Sequence, residues 1–123
     1  MLTMPPSVRV YVSTRPTNMH KSFDGLSALV SSVMGQPPMG GHLFVFFGRR
    51  ADQVKVLYWD RTGYCVWSKR LERGRFNLGR AIPGADGCVE IESAELALIL
   101  EGIDLAGARR RSRWRPTVGA QGT

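Results

Sequence analysis

Cysteine and histidine are scarce in these 123 residues: two of each. Cys65, Cys88, His20 and His42 form no clustered ligand set, and no Cys-x-x-Cys pair occurs. Zinc needs about four closely placed donors, so no metal and no cofactor is expected. Cys65 lies in a strand-like run and reads as a small buried hydrophobe. Long apolar runs are also missing. Nothing approaches the roughly 20 residues that span a bilayer, and the first ten residues lack the apolar stretch of a secretion signal. A cytoplasmic protein is expected, with no membrane contact. No Gly-rich phosphate loop, no nucleophile beside a base and no internal repeat is visible. Acidic residues are few: 10 against 17 Lys and Arg, giving a net charge of +7 and a pI of about 10.3. That balance favours a polyanionic partner, nucleic acid above all.

The charge is uneven along the chain. Residues 42–80 hold nine Lys or Arg against three acids. Residues 81–102 hold five acids and no Lys or Arg. After Gly107 come five arginines and no acid. Basic and acidic surfaces should therefore lie apart, which suits a polyanion on one side and a protein on the other.

Periodicity gives the elements. Residues 8–12 alternate and predict a first strand. Arg15-Pro-Thr-Asn18 is a turn signal, with Thr17 or Asn18 as a candidate helix cap. Phe23, Leu26, Leu29, Val30, Val33 and Met34 recur at helical spacing and predict one buried stripe. Gly35, Pro37 and Pro38 end it. Residues 43–47, 54–59 and 64–69 predict three strands. Asp60-Arg-Thr-Gly63 predicts a tight hairpin, with Gly63 supplying positive φ. A one-residue slip exchanges the faces, so Tyr58 and Trp59 are equal candidates for the inward position. One face should meet the helix, leaving part of the other open. Residues 73–80 fit a short strand or a basic loop, and 82–87 a loop. Residues 89–91 fit a returning strand. Ser93 caps a second helix, with Leu96, Ile99, Leu100 and Ile103 as its stripe. The fold class is α+β: a small antiparallel sheet packed on an N-terminal helix, a second short helix, and a basic disordered tail. The domain spans residues 1–105 and the tail 106–123.

Six pieces carry a family resemblance. They are Pro16-Thr-Asn-Met-His-Lys-Ser-Phe-Asp-Gly-Leu26, Gly41-His-Leu-Phe-Val-Phe46, Arg49-Arg50, Lys55-Val-Leu-Tyr-Trp-Asp60, Lys69-Arg-Leu-Glu-Arg-Gly-Arg-Phe76 and Leu100-Glu-Gly-Ile-Asp104. In this order the chain resembles the TnpB, or Orf2-like, accessory proteins of the IS66 group of bacterial insertion sequences. The chain departs from the family pattern at Asn18, His20, Phe47, Leu78 and Gly79. The resemblance implies a role in transposition beside a separate transposase, without catalysis by this chain.

The residues themselves weigh the same way. Strand transfer would need carboxylates clustered around metal ions. Asp24, Asp52, Asp60 and Glu72 are the candidates, and each has a local explanation. Asp24 complements a helix dipole, Asp60 opens a turn, and Asp52 and Glu72 have cations to pair with. Arg49, Arg50, Lys55, Lys69, Arg70, Arg73 and Arg75 are the candidate phosphate contacts. Arg15, His20 and Lys21, beside a helix start, are a candidate anion site. Tyr58, Trp59, Tyr64 and Trp67 are candidates for base stacking or for core. No helix-turn-helix is present to read base sequence. Two functions remain: a DNA-binding accessory factor, or an adaptor to the transposase through the acidic helix carrying Glu92, Glu95 and Glu101.

Overall fold

Five runs rich in β-branched and aromatic residues form one mixed sheet in the computed structural model, which describes residues 7–77 and 87–101. In chain order the elements are β1 (Val10–Ser13), α1 (Phe23–Ser32), β2 (Leu43–Phe47), β3 (Gln53–Asp60), β4 (Gly63–Arg70), β5 (Cys88–Ile91) and α2 (Ser93–Glu101). The spatial order is β4-β3-β2-β1-β5. β1 and β2 pair in parallel, with Val10 opposite Leu43 and Val12 opposite Val45. The other neighbours pair antiparallel. The expected all-antiparallel sheet is therefore corrected at one junction. A parallel neighbour needs a crossover rather than a turn, and α1 with its flanking loops supplies it. The helix follows the first strand, as the order of the sequence patterns predicts.

Alternation along the strands makes two apolar faces. Val10, Val12, Val45, Val54 and Val56 point to one face, where Leu96, Ile99 and Leu100 of α2 cover them. Tyr11, Phe44, Phe46 and Leu57 point to the other, under Leu26 and Val30 of α1 and Met34 just after it. Both faces are therefore covered, where one was expected to be partly open. This explains β2, whose five residues Leu-Phe-Val-Phe-Phe are all buried. A central strand between two helical layers needs no polar side.

The register settles the aromatic pair. Tyr58 packs with the α2-side core, and Trp59 falls on the α1 side. There its ring meets Tyr64 edge-on at 5.0 Å. The β3–β4 hairpin forms as predicted, with Asp60 opposite Gly63. Its positive φ falls on Arg61, at 50°, and not on Gly63. In a two-residue turn the left-handed position is the first central residue, and Gly63 already belongs to the strand.

The helix starts also differ from expectation. α1 has Ser22 at its N-cap, without a side-chain cap bond. Asn18 makes a local turn instead. Its Oδ1 accepts the His20 N–H at 2.8 Å and its carbonyl accepts the Lys21 N–H at 3.1 Å. Thr17 is buried and donates its N–H to the Phe47 carbonyl at 2.9 Å. Phe23 and Val33 are exposed, so the buried stripe is narrower than the sequence suggests. Gly35, at φ 65°, ends the helix as predicted. α2 begins at Ser93, with Glu92 before it. The Glu92 N–H donates to Glu95 Oε1 at 3.0 Å, one half of a capping box. The expected loop at 82–86, Ile103 and the tail at 106–123 lie outside the described residues.

α1 runs across the strands. The Lys21 carbonyl before it meets Lys55 of β3, and the Val33 carbonyl after it lies against Gly87, just ahead of β5. Gly87 has φ +79, and a Cβ there would stand 2.7 Å from that carbonyl oxygen. Gly87→Ala should therefore destabilise the protein by about 2 kcal/mol or more, since left-handed strain and a backbone clash act together. Ala51, at φ 58, is the opposite case. Ala51→Gly should be neutral or stabilising by up to about 1 kcal/mol. Urea unfolding of the two variants checks both signs.

Candidate nucleic-acid interface

The strand directions bring three loops to one end of the sheet. β1, β2 and β4 finish there, and β3 and β5 begin there. The β2–β3 connection is a tight turn. The Gly48 N–H donates to the Gln53 carbonyl at 3.0 Å, and the Ala51 N–H to the Gly48 carbonyl at 2.9 Å. Arg49 and Arg50 occupy its tip and are exposed.

The chain leaving β4 is held against this turn. The Leu71 N–H donates to the Asp52 carbonyl at 2.8 Å, and the Phe76 N–H to the Ala51 carbonyl at 2.6 Å. The buried Phe76 ring lies 5.6 Å from that of Phe47. An apolar anchor thus fixes an irregular segment whose Arg73 and Arg75 stay exposed. The expected alternatives at 73–80 resolve to a loop over 71–77, and 78–80 lie outside the described residues.

The β1–α1 loop reaches the same end through the Thr17–Phe47 bond. Arg15, His20 and Lys21 are exposed on it. Two sets of residues that the sequence separates, the anion-site candidates and the arginines, therefore share one surface. A cleft of about 540 Å³ opens there, lined by Met19, Arg49, Arg50, Asp52, Arg70 and Glu72 among others. Asp52 and Glu72 make no ion pair with these arginines among the described residues, where Arg9–Glu90 is the pair that forms, at 3.7 Å. Their expected local pairing is absent, and the arginines keep their charge available.

Lys55 and Lys69 differ from the rest. Both are half-buried. Lys55 Nζ donates to the Lys21 carbonyl at 2.9 Å, and Lys69 Nζ to the Leu100 carbonyl at 2.9 Å. Lys55 ties the β1–α1 loop to the sheet. Lys69 neutralises the negative C-terminal end of α2.

The aromatic candidates sit away from this end or inside the fold. Tyr58 and Trp67 pack on the α2-side core and Tyr64 on the α1 side. Phe23, given to the core by its spacing, is instead 46% exposed. Its place at the very start of the helix was the available signal. Of the candidate carboxylates, Asp52 and Glu72 line the same cleft, and Asp60 is remote from both. Asp52 and Asp60 flank β3 at opposite ends, about 26 Å apart at roughly 3.3 Å per residue. Among the described residues no three His, Cys, Asp or Glu side chains are grouped to hold a metal ion. Likewise, none of the described helices is long and apolar enough to cross a membrane. Burial raises the Cys88 thiol pKa. Burial, with Cys65 and Asp60 nearby, raises that of the Tyr58 phenol.

The architecture is that of a small α+β domain whose faces are core and whose one end displays cations. The chain belongs to the family described as IS66 Orf2 like protein, which it matches over residues 8–110. Membership makes it a transposition-associated accessory protein rather than a member of a known enzyme family. It is 39% identical over 118 residues to the uncharacterized protein y4hO of Sinorhizobium fredii (strain NBRC 101917 / NGR234), covering 95% of this chain and 97% of that one. It is 34% identical over 110 residues to the uncharacterized protein y4jC of the same strain, covering 89% and 92%. No solved structure matches the chain.

Lys69→Met should lower stability by about 1 kcal/mol by uncapping α2, whereas Arg73→Ala should change it by less than about 0.5 kcal/mol. Urea unfolding separates the two. A raised pKa leaves less thiolate at a given pH, so Cys88 in the folded protein should react with iodoacetamide at pH 8 more slowly than in urea. Mass spectrometry of the labelled peptides reads the difference.

Proposed function

We propose that this protein supports transposition by binding DNA through the cationic end of its sheet. One observation carries the reading. Arg15, Lys21, Arg49, Arg50, Arg70, Arg73 and Arg75, from three separate segments, are exposed on one end and have no ion-pair partner among the described residues. Grouping like charges without counter-ions costs free energy in the isolated protein. A phosphate backbone removes that cost and releases its own counter-ions, so binding should weaken steeply with salt. The contacts are to phosphate, which sets position without reading sequence. Asp24 in the first turn of α1 and Asp60 at the hairpin serve locally in this reading, and the separate transposase supplies the chemistry.

A second reading has its own support. α2 exposes Leu98, with Glu95 three residues before it and Glu101 three residues after it. An apolar residue flanked by acids suits a protein partner, and the transposase is the candidate. The two readings use different residues, so one protein can serve both.

The test is Arg49, Arg50, Arg73 and Arg75 all changed to Ala. Affinity for duplex DNA carrying the element's ends should fall, and the slope of log K against log salt should drop by about 3.6 for four lost phosphate contacts. Transposition should fall with it while the circular-dichroism spectrum is kept. Unchanged affinity and slope would contradict DNA binding at this end. Loss of transposase pull-down on changing Leu98 and Glu101, with DNA binding intact, would favour the adaptor.

A further inference from the structure

Phe23 departs from the apolar logic of the rest of α1. It shares a helical stripe with Leu26 and Val30, three and seven residues on, and both of those are fully buried. Yet Phe23 is 46% exposed and is not among the residues packed into the α1-side core. It is the first residue of the helix, which starts beside the half-buried Lys55. Two lysines, Lys21 and Lys55, stand at this start, with Asp24 in its first turn. The Lys21 side chain lies along the first turn, with its Cγ 3.1 Å from where a Cβ on Gly25 would stand. Lys55 Nζ holds the Lys21 carbonyl. Gln53, two residues before Lys55 on the same sheet face and about 6.6 Å away along the strand, borders the arginine cleft. Its cross-strand partner Arg70 lines that cleft too.

An exposed ring on a helix start that Lys21 precedes and Lys55 holds, with an arginine-lined cleft at the same end of the sheet, fits a nucleotide: the ring takes the base and the cations take its phosphates. Bases inside an intact duplex are stacked on one another and offer no free face. We infer that Phe23 is a stacking platform for an unpaired nucleobase, so that this end of the sheet prefers single-stranded or frayed DNA over blunt duplex. The inference rests on the DNA-binding reading above and names the form of DNA that the site takes.

The experiment uses the full chain and three labelled probes: a single strand, the same strand with abasic positions, and its blunt duplex, each over a salt series. Wild type should favour the single strand. Phe23→Ala should lose about 10- to 100-fold in affinity for the single strand and little for the duplex. Its salt slope should stay, because no phosphate contact is removed. Phe23→Trp should retain the preference and Phe23→Leu should lose it. The abasic strand should bind wild type as weakly as the intact strand binds Phe23→Ala. That comparison needs no variant, so it holds even if Phe23→Ala folds poorly. Equal binding of intact and abasic strands, or a proportional loss on strand and duplex in Phe23→Ala, would overturn the stacking role and leave DNA binding standing. Wild type that binds none of the probes at low salt would overturn both readings.

Discussion

The parallel pairing of β1 with β2 is the constraint on which the rest depends. It forces the chain to leave β1 and re-enter β2 from the far end, with α1 laid across the sheet between them. As a result β1 and β2 both finish at the same end. The two hairpins that follow bring the end of β4 there, and the antiparallel pairing of β5 with β1 sets the start of β5 there as well. Segments 15–21, 49–52 and 70–76 become neighbours only because of this topology. Had β1 paired antiparallel, the loop carrying Arg15 and Lys21 would lie at the opposite end from Arg49 and Arg50.

The second consequence is a division of labour between faces and ends. A five-stranded sheet with a helix on each side has no free face, so aromatic and β-branched residues are absorbed by the core. Cations are left to the loops. Two lysines inside the sheet make this arrangement hold. Lys55 binds the carbonyl that precedes α1, and Lys69 the carbonyl near the end of α2. Each is a positive charge used to fix backbone, and each keeps a helix terminus where the sheet needs it. The proposed phosphate contacts are then the arginines, whose planar donors suit phosphate and which are not engaged in this way.

Much of this was legible in the sequence where the signal is local. Alternation marked β1, runs of aromatic and β-branched residues marked β2 to β4, Asp60 to Gly63 marked the hairpin, and Gly35 marked the end of α1. The short segment 89–91 was visible as a returning strand. Pairing direction was not legible, because it depends on where α1 docks and not on any strand's own residues. Coverage of the second face failed for the same reason: α2 is short, and no local pattern says which side it takes. Asn18 reads equally well as a cap or as a turn former, and tertiary position decided for the turn. At the candidate site, the arginines were legible as charge, but their union with Arg15, His20 and Lys21 was not. Lys55 and Lys69 look like any surface lysines in sequence, and their roles depend on carbonyls more than thirty residues away. Phe23 fits the helical period and so reads as core. Only the place where the helix begins puts it in solvent.

The central claim is that three loops act as one surface. The most direct measurement is a backbone amide NMR titration of the protein with a DNA oligonucleotide. Signals from 15–23, 49–53 and 70–76 should shift together with one binding constant, while those from the outer side of α2 stay still. Shifts confined to α2, or to a single one of the three loops, would contradict the account.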